Sequence, residues 1–149
     1  MRYTLRKDEK LRHKTLVDGV FESGTTLYEY PLRLTWRVIS PEELEGSFRN
    51  GSPEGIGPLQ MLITVPKKKL RHAVDRVRIR RLIREAYRLN RLPLKETSES
   101  REDIRTISMA FIYPHTEKME YAAIEKKMTR LLDKVRKSIE TDTASETPA

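Results

Sequence analysis

The chain has no cysteine, one tryptophan, three phenylalanines and three histidines, and each shortage closes off a class of protein. Without thiols there is no disulfide, iron–sulfur cluster or thiolate zinc site, and a cysteine nucleophile is excluded. That fits a reducing cytosol, so a cytoplasmic location is the expectation. His13, His72 and His115 are scattered and follow no metal-binding spacing, so they read as loop or surface residues rather than ligands or general bases. No apolar run approaches the ~20 residues of a membrane span. Met1 to Lys14 is polar and basic rather than a secretory leader. Gly51, Gly55 and Gly57 are not followed by the Gly-Lys-Ser/Thr of a phosphate-binding loop. The carboxylates mostly alternate with Lys and Arg, the pattern of solvated faces. No catalytic residue carried by the protein is legible.

What the chain does have is positive charge in one place. Lys67 to Arg91 holds eleven Lys or Arg against Asp75 and Glu85, a local +9 beside a total of +8 for 149 residues. Ile79, Leu82, Ile83, Ala86 and Leu89 recur at helical spacing, which predicts an amphipathic helix. Arg80, Arg84, Arg88 and Arg91 then form an outward row with Arg81 beside them. Like charges at i,i+4 disfavour an isolated helix by roughly 0.2–0.5 kcal/mol per pair, so a polyanion is the natural partner. Nucleic acid is the first reading, ahead of an anionic membrane surface or an acidic protein.

The remaining segments alternate in character, consistent with one soluble domain of mean hydropathy −0.67. Leu11, Leu16, Val20 and Phe21 predict a first helix ending at Gly24. Thr26 to Ile39 reads as a half-buried strand, or two strands broken near Pro31. Residues 40–58, rich in Gly and Pro, read as a loop, and Leu59 to Val65 as a buried strand. A polar connection through Glu102 precedes a strand over Ile104 to Ile112. Met119, Ile124, Met128, Leu131, Leu132 and Val135 mark a final helix. Residues 1–140 therefore form the domain, and 141–149 a disordered tail. Tyr28 and Tyr30 read as core. Trp36 has two open readings, core or a surface on which bases stack.

The string from Pro66 to Arg91, PKKKLRHAVDRVRIRRLIREAYRLNR, resembles the signature of the bacterial ribonuclease P protein component. It has a Lys-rich turn, Ala73-Val74, Arg76-Val77-Arg78, the basic pair Arg80-Arg81, the apolar pair Leu82-Ile83, then Arg84-Glu85 and Tyr87. Weaker likeness extends to LRKDEKL, to VFESG ending at Gly24, and to YPLRLTW. Val77 departs from the Asn usual there, Leu11 stands where an aromatic is common, and residues between Leu11 and Phe21 read as an insertion.

The resemblance implies an α/β (α+β) fold in the order αβββαβα. It implies one four-stranded sheet with a left-handed βαβ crossover, similar to the ribosomal protein S5 domain 2-like fold. It also implies a subunit of an endoribonuclease whose active site lies in a partner RNA acting with Mg²⁺. The partners implied are ribonuclease P RNA and precursor tRNA, neither DNA nor membrane. On this reading Lys67, Lys68, Lys69, Arg71, Arg76, Arg78, Arg80, Arg81, Arg84 and Arg88 bind RNA, and Leu11, Phe21 and Trp36 meet the 5′ leader. A metal site on the protein itself is not specified. The alternative is a non-catalytic RNA-binding protein of the ribosomal type.

Overall fold

The structure, a computed structural model, describes residues 5–48 and 55–146. Its core order is α1 (Lys14–Ser23), β1 (Thr25–Glu29), β2 (Leu32–Ile39), α2 (Pro41–Gly46), β3 (Leu59–Thr64), α3 (Ala73–Asn90), α4 (Leu92–Glu99), β4 (Thr106–Ile112) and α5 (Tyr121–Glu146). With the short α2 and α4 set aside, this is the expected αβββαβα. The strands form one four-stranded sheet in the order β1-β2-β4-β3. β1–β2 and β2–β4 are antiparallel, while β3 and β4 run parallel and are joined through α3 and α4. A parallel neighbour needs such a crossover.

Strand alternation sorts the core into two parts. Leu32, Leu34 and Trp36 of β2 join Ile107, Met109 and Phe111 of β4 against Ile79, Ile83 and Tyr87 of α3 and Ile124, Met128 and Val135 of α5. On the opposite face a smaller cluster gathers Leu16 and Val20 of α1 with Ile39, Leu44, Ile56 and Ala110. Helices thus cover both faces of the sheet, and β4, one of its two inner strands, is buried along its whole length. Gly24 ends α1 where space is shortest: a Cβ there would lie 2.2 Å from the Val20 carbonyl oxygen and 2.8 Å from Thr35 Cγ2. The helix can turn directly into β1 because nothing projects at that point.

Of the two readings of Thr26 to Ile39 the structure selects two strands, which pair as a hairpin about Pro31. Other expectations need correction. The 40–58 segment contains α2, because Ser40 caps it by accepting the Glu43 N–H at 3.2 Å and Pro41 fits its first turn; residues 49–54 lie outside the described residues. The polar connection after Arg91 contains α4, with Pro93 in its first turn. The tail was expected from residue 141, but α5 continues to Glu146, since adding residues to an established helix costs little. Residues 147–149 lie outside the described residues.

Two errors concern α3. Leu89, expected in the core, is 37% exposed, and Tyr87 is buried in its stead. Arg91, expected in the outward row, is 1% exposed and pairs with Glu9. The helical wheel is right about its angle; the N-terminal segment, far away in sequence, covers that end of the helix.

Candidate nucleic-acid interface

Two surfaces have the chemistry to meet a polyanion. The first begins in the loop before α3, where the Lys69 and Leu70 N–H groups turn back to donate to the Pro66 carbonyl at 3.1 and 3.2 Å. Leu70 is buried and anchors this turn, leaving Lys67, Lys68 and Lys69 exposed. Arg76 ties the loop to the helix by donating to the Leu70 and Arg71 carbonyls at 2.8 and 2.7 Å. It therefore shapes the turn, with part of its guanidinium already committed.

The other basic residues divide by what claims them. Arg88 makes two bonds to Glu85, at 2.9 and 2.6 Å, and this contact holds the Glu85 carboxyl below its usual range. Arg78 lies 3.8 Å from Glu120 in a loose, exposed pair, and Asp75 is matched by Lys118 at 3.4 Å. The two acids of the segment are thus taken. Lys67, Lys68, Lys69, Arg71, Arg80, Arg81 and Arg84 have no side-chain hydrogen bond or ion pair among the described residues.

Arg80 and Arg84 turn toward the N-terminal segment, and between them lies a groove of about 590 Å³. Its floor is Leu5, Leu11, Met61, Leu62 and Ile63, and its cationic rim adds Arg6, Lys10 and Arg12 to the two helix arginines. The N-terminal segment is fastened at several points. Leu11 N–H donates to the Met61 carbonyl at 2.9 Å, Gly57 N–H to the Asp8 carbonyl at 2.9 Å, and Gln60 Nε2 to the same oxygen at 3.1 Å. Arg91 Nε reaches Glu9 Oε1 at 2.5 Å while its Nη1 donates to the Arg88 carbonyl at 2.6 Å. Glu9, the one acid lining the groove among the described residues, thereby has its charge paired. Sequence reasoning missed Arg6, Lys10 and Arg12; the basic LRKDEKL string was the signal, but only its pairing with β3 brings it beside α3.

The second surface is the sheet face that carries α1. Arg33, Thr35 and Arg37 of β2 point to it, so Trp36 points away, into the core at 7% exposure. Of its two readings the structure selects core, and its assignment to leader contact is corrected accordingly. Leu11 is 5% exposed and serves chiefly as core and groove floor, whereas Phe21 is 50% exposed on α1. The two tyrosines reverse their expectation: Tyr28 is 50% and Tyr30 40% exposed. Both contact His115, Tyr28 through a 2.6 Å bond between its hydroxyl and Nε2, Tyr30 through rings 4.4 Å apart. The Tyr30 hydroxyl donates to Glu117 at 2.9 Å, which together with desolvation holds its pKa above the usual range. The other histidines stand apart, His13 edge-on to Phe48 and His72 at the start of α3.

Comparison with known proteins agrees with this geometry. The family model described as Ribonuclease P matches residues 5–136. The ribonuclease P protein component of Porphyromonas gingivalis is 32% identical over 133 residues, spanning 89% of this chain and 87% of that protein. That of Chlorobaculum tepidum is 33% identical over 111 residues, 73% of this chain and 66% of that protein. The fold is similar to that of the Staphylococcus aureus RNase P protein, with a TM-score of 0.57 at 14% identity over 85% of this chain and 94% of that one. It is also similar to that of the Thermotoga maritima RNase P protein, at 0.56 and 19% over 85% and 96%.

Proposed function

The chain belongs to the ribonuclease P protein family, and on that premise we propose that it binds a catalytic RNA and the single-stranded 5′ leader of precursor tRNA, promoting endonucleolytic removal of the leader. The observation that carries this reading is the set of unclaimed cations along α3, the loop before it and the groove beside it. Arg80, Arg81 and Arg84 on α3 continue from Lys67–Lys69 and are joined across the groove by Arg6, Lys10 and Arg12. Guanidinium groups on a rigid helix match phosphate oxygens with directional, paired hydrogen bonds. Release of counterions from the RNA adds a salt-dependent driving force.

The protein's part in the reaction is binding and positioning. Holding the leader and the catalytic RNA together converts an encounter of two RNAs into an oriented complex and lowers the entropic part of the barrier. The Mg²⁺ of the reaction we assign to the partner RNA, as the family resemblance implies. No helix among the described residues is long and apolar enough to cross a membrane.

The test is reconstitution with a bacterial ribonuclease P RNA and a precursor tRNA. The protein alone should not cleave at the leader junction, and it should strongly stimulate the RNA at limiting Mg²⁺. Junction-specific cleavage by RNA-free protein, or no stimulation, would overturn the reading.

A further inference from the structure

The exposed aromatic cluster at the edge strand β1 has no part in the assignment so far. Single exposed apolar residues are ordinary, but here two half-exposed tyrosines and a histidine gather on one corner of the sheet. Their polar ends are already held, Tyr28 by His115 and Tyr30 by Glu117. The rings are thus fixed in place while much of their surface stays open to solvent. A fixed aromatic surface loses little side-chain freedom when a flat ligand stacks on it.

Charge beside the cluster narrows the ligand. Tyr28 is paired in register with Arg33, which is paired with Ile112, and Ile112 with Thr64. Residues directly opposite in a ladder share a face, so this row crosses all four strands on the face that carries α1. Arg33 is exposed and has no ion pair or side-chain hydrogen bond among the described residues. An open ring with a free guanidinium one strand away, about 5 Å between Cβ atoms, suits a base and the phosphate next to it. It is the arrangement single-stranded nucleic acid needs, stacking combined with a cation.

The geometry points to Tyr28, Tyr30 and His115 as a stacking shelf for an unpaired nucleobase of the RNA leader, with Arg33 meeting the adjoining phosphate. This rests on the leader-binding reading above and adds to it the residues at which one leader base is held.

The experiment uses the holoenzyme reconstituted with ribonuclease P RNA and precursor tRNAs whose leaders grow one nucleotide at a time. Affinity of the unaltered holoenzyme should rise as the leader reaches the shelf. Tyr28→Ala with Tyr30→Ala should abolish that step, a loss of about tenfold for long leaders, and leave the shortest leaders unaffected. Tyr28→Phe keeps the ring and should stay within about twofold of the unaltered protein.

A length-dependent step retained in the double variant overturns the shelf alone; absence of any leader dependence in the unaltered holoenzyme overturns the leader-binding reading beneath it. A loss in Tyr28→Phe equal to that in the alanine variant also overturns stacking, since only the hydroxyl would then matter. Should the double variant fail to fold, abasic leaders decide the matter. One position should cost the unaltered protein about tenfold when its base is removed, and should cost the single Tyr28→Ala variant much less; equal costs overturn the shelf.

Discussion

An arginine's availability depends on its neighbours more than on its position in the helix. Arg88 and Arg84 are one turn apart, yet Arg88 is held by Glu85 and Arg84 is free to turn to the groove. Replacing Arg80 and Arg84 together by Ala should therefore weaken RNA binding with the fold intact. If each meets one phosphate, the slope of log K against log salt should shrink by about 1.4–1.8; an unchanged slope would show that neither touches phosphate. Val77 sits on the same helix, 41% exposed, and with Val74 and Leu82 lines a shallow apolar recess between Arg78 and Arg81. Because it buries little in the free protein, Val77→Asn should change stability by only about 0.5 kcal/mol, as read by urea unfolding. RNA affinity should stay level or tighten by the value of one hydrogen bond, about 1 kcal/mol. A loss beyond tenfold would mean that Val77 makes an apolar contact with the RNA.

Among elements, the N-terminal segment and the end of α3 are tied together by a buried ion pair. Glu9 and Arg91 have side chains only 7% and 1% exposed, and each is the other's charge partner. Removing one member of such a pair leaves an uncompensated buried charge and costs about 3–5 kcal/mol. Arg91→Met should therefore lower unfolding stability by about that amount, and restoring an apolar match with Glu9→Leu should recover much of it. A single-variant loss below about 1 kcal/mol would show that the pair is not what fastens the segment. Because the same segment carries Arg6, Lys10 and Arg12 to the groove rim, loosening it should also reduce RNA affinity.

Over the whole molecule, charge makes stability depend on pH from the acid side. Glu29 is held below its usual pKa by Lys134, Glu85 by Arg88, Asp103 by Arg101 and Asp133 by Arg136. A carboxyl with a lowered folded pKa adds stability above its unfolded value, and that stability is lost as pH falls through the folded value. Solvent screening keeps each contribution small. As pH falls below their ordinary values of 4.5 for Glu and 3.8 for Asp, however, these contributions fade progressively, and the 30 Lys and Arg side chains repel with less and less opposing charge. The melting temperature should be flat between neutral pH and about pH 5, fall steeply below about pH 4, and recover partly with added salt. A melting temperature unchanged at pH 3 would contradict this.

Periodicity and composition determined α1, α3, α5 and the strand segments, because hydrophobic spacing is a local property of the chain. The concentration of positive charge from Lys67 to Arg84 was legible for the same reason, since so few acids accompany it. The crossover's hand was supplied by resemblance, as nothing in the local pattern encodes it. Tertiary structure alone decided which side chains are available. Trp36 went inward and Tyr28 outward because β1–β2 register sets the face on which each stands. Arg91 was withdrawn from the basic row by Glu9, 82 residues away in sequence. Arg6, Lys10 and Arg12 joined that row only because the N-terminal segment bridges to β3. Availability depends on contacts between distant segments, and such contacts leave no period in the sequence to read.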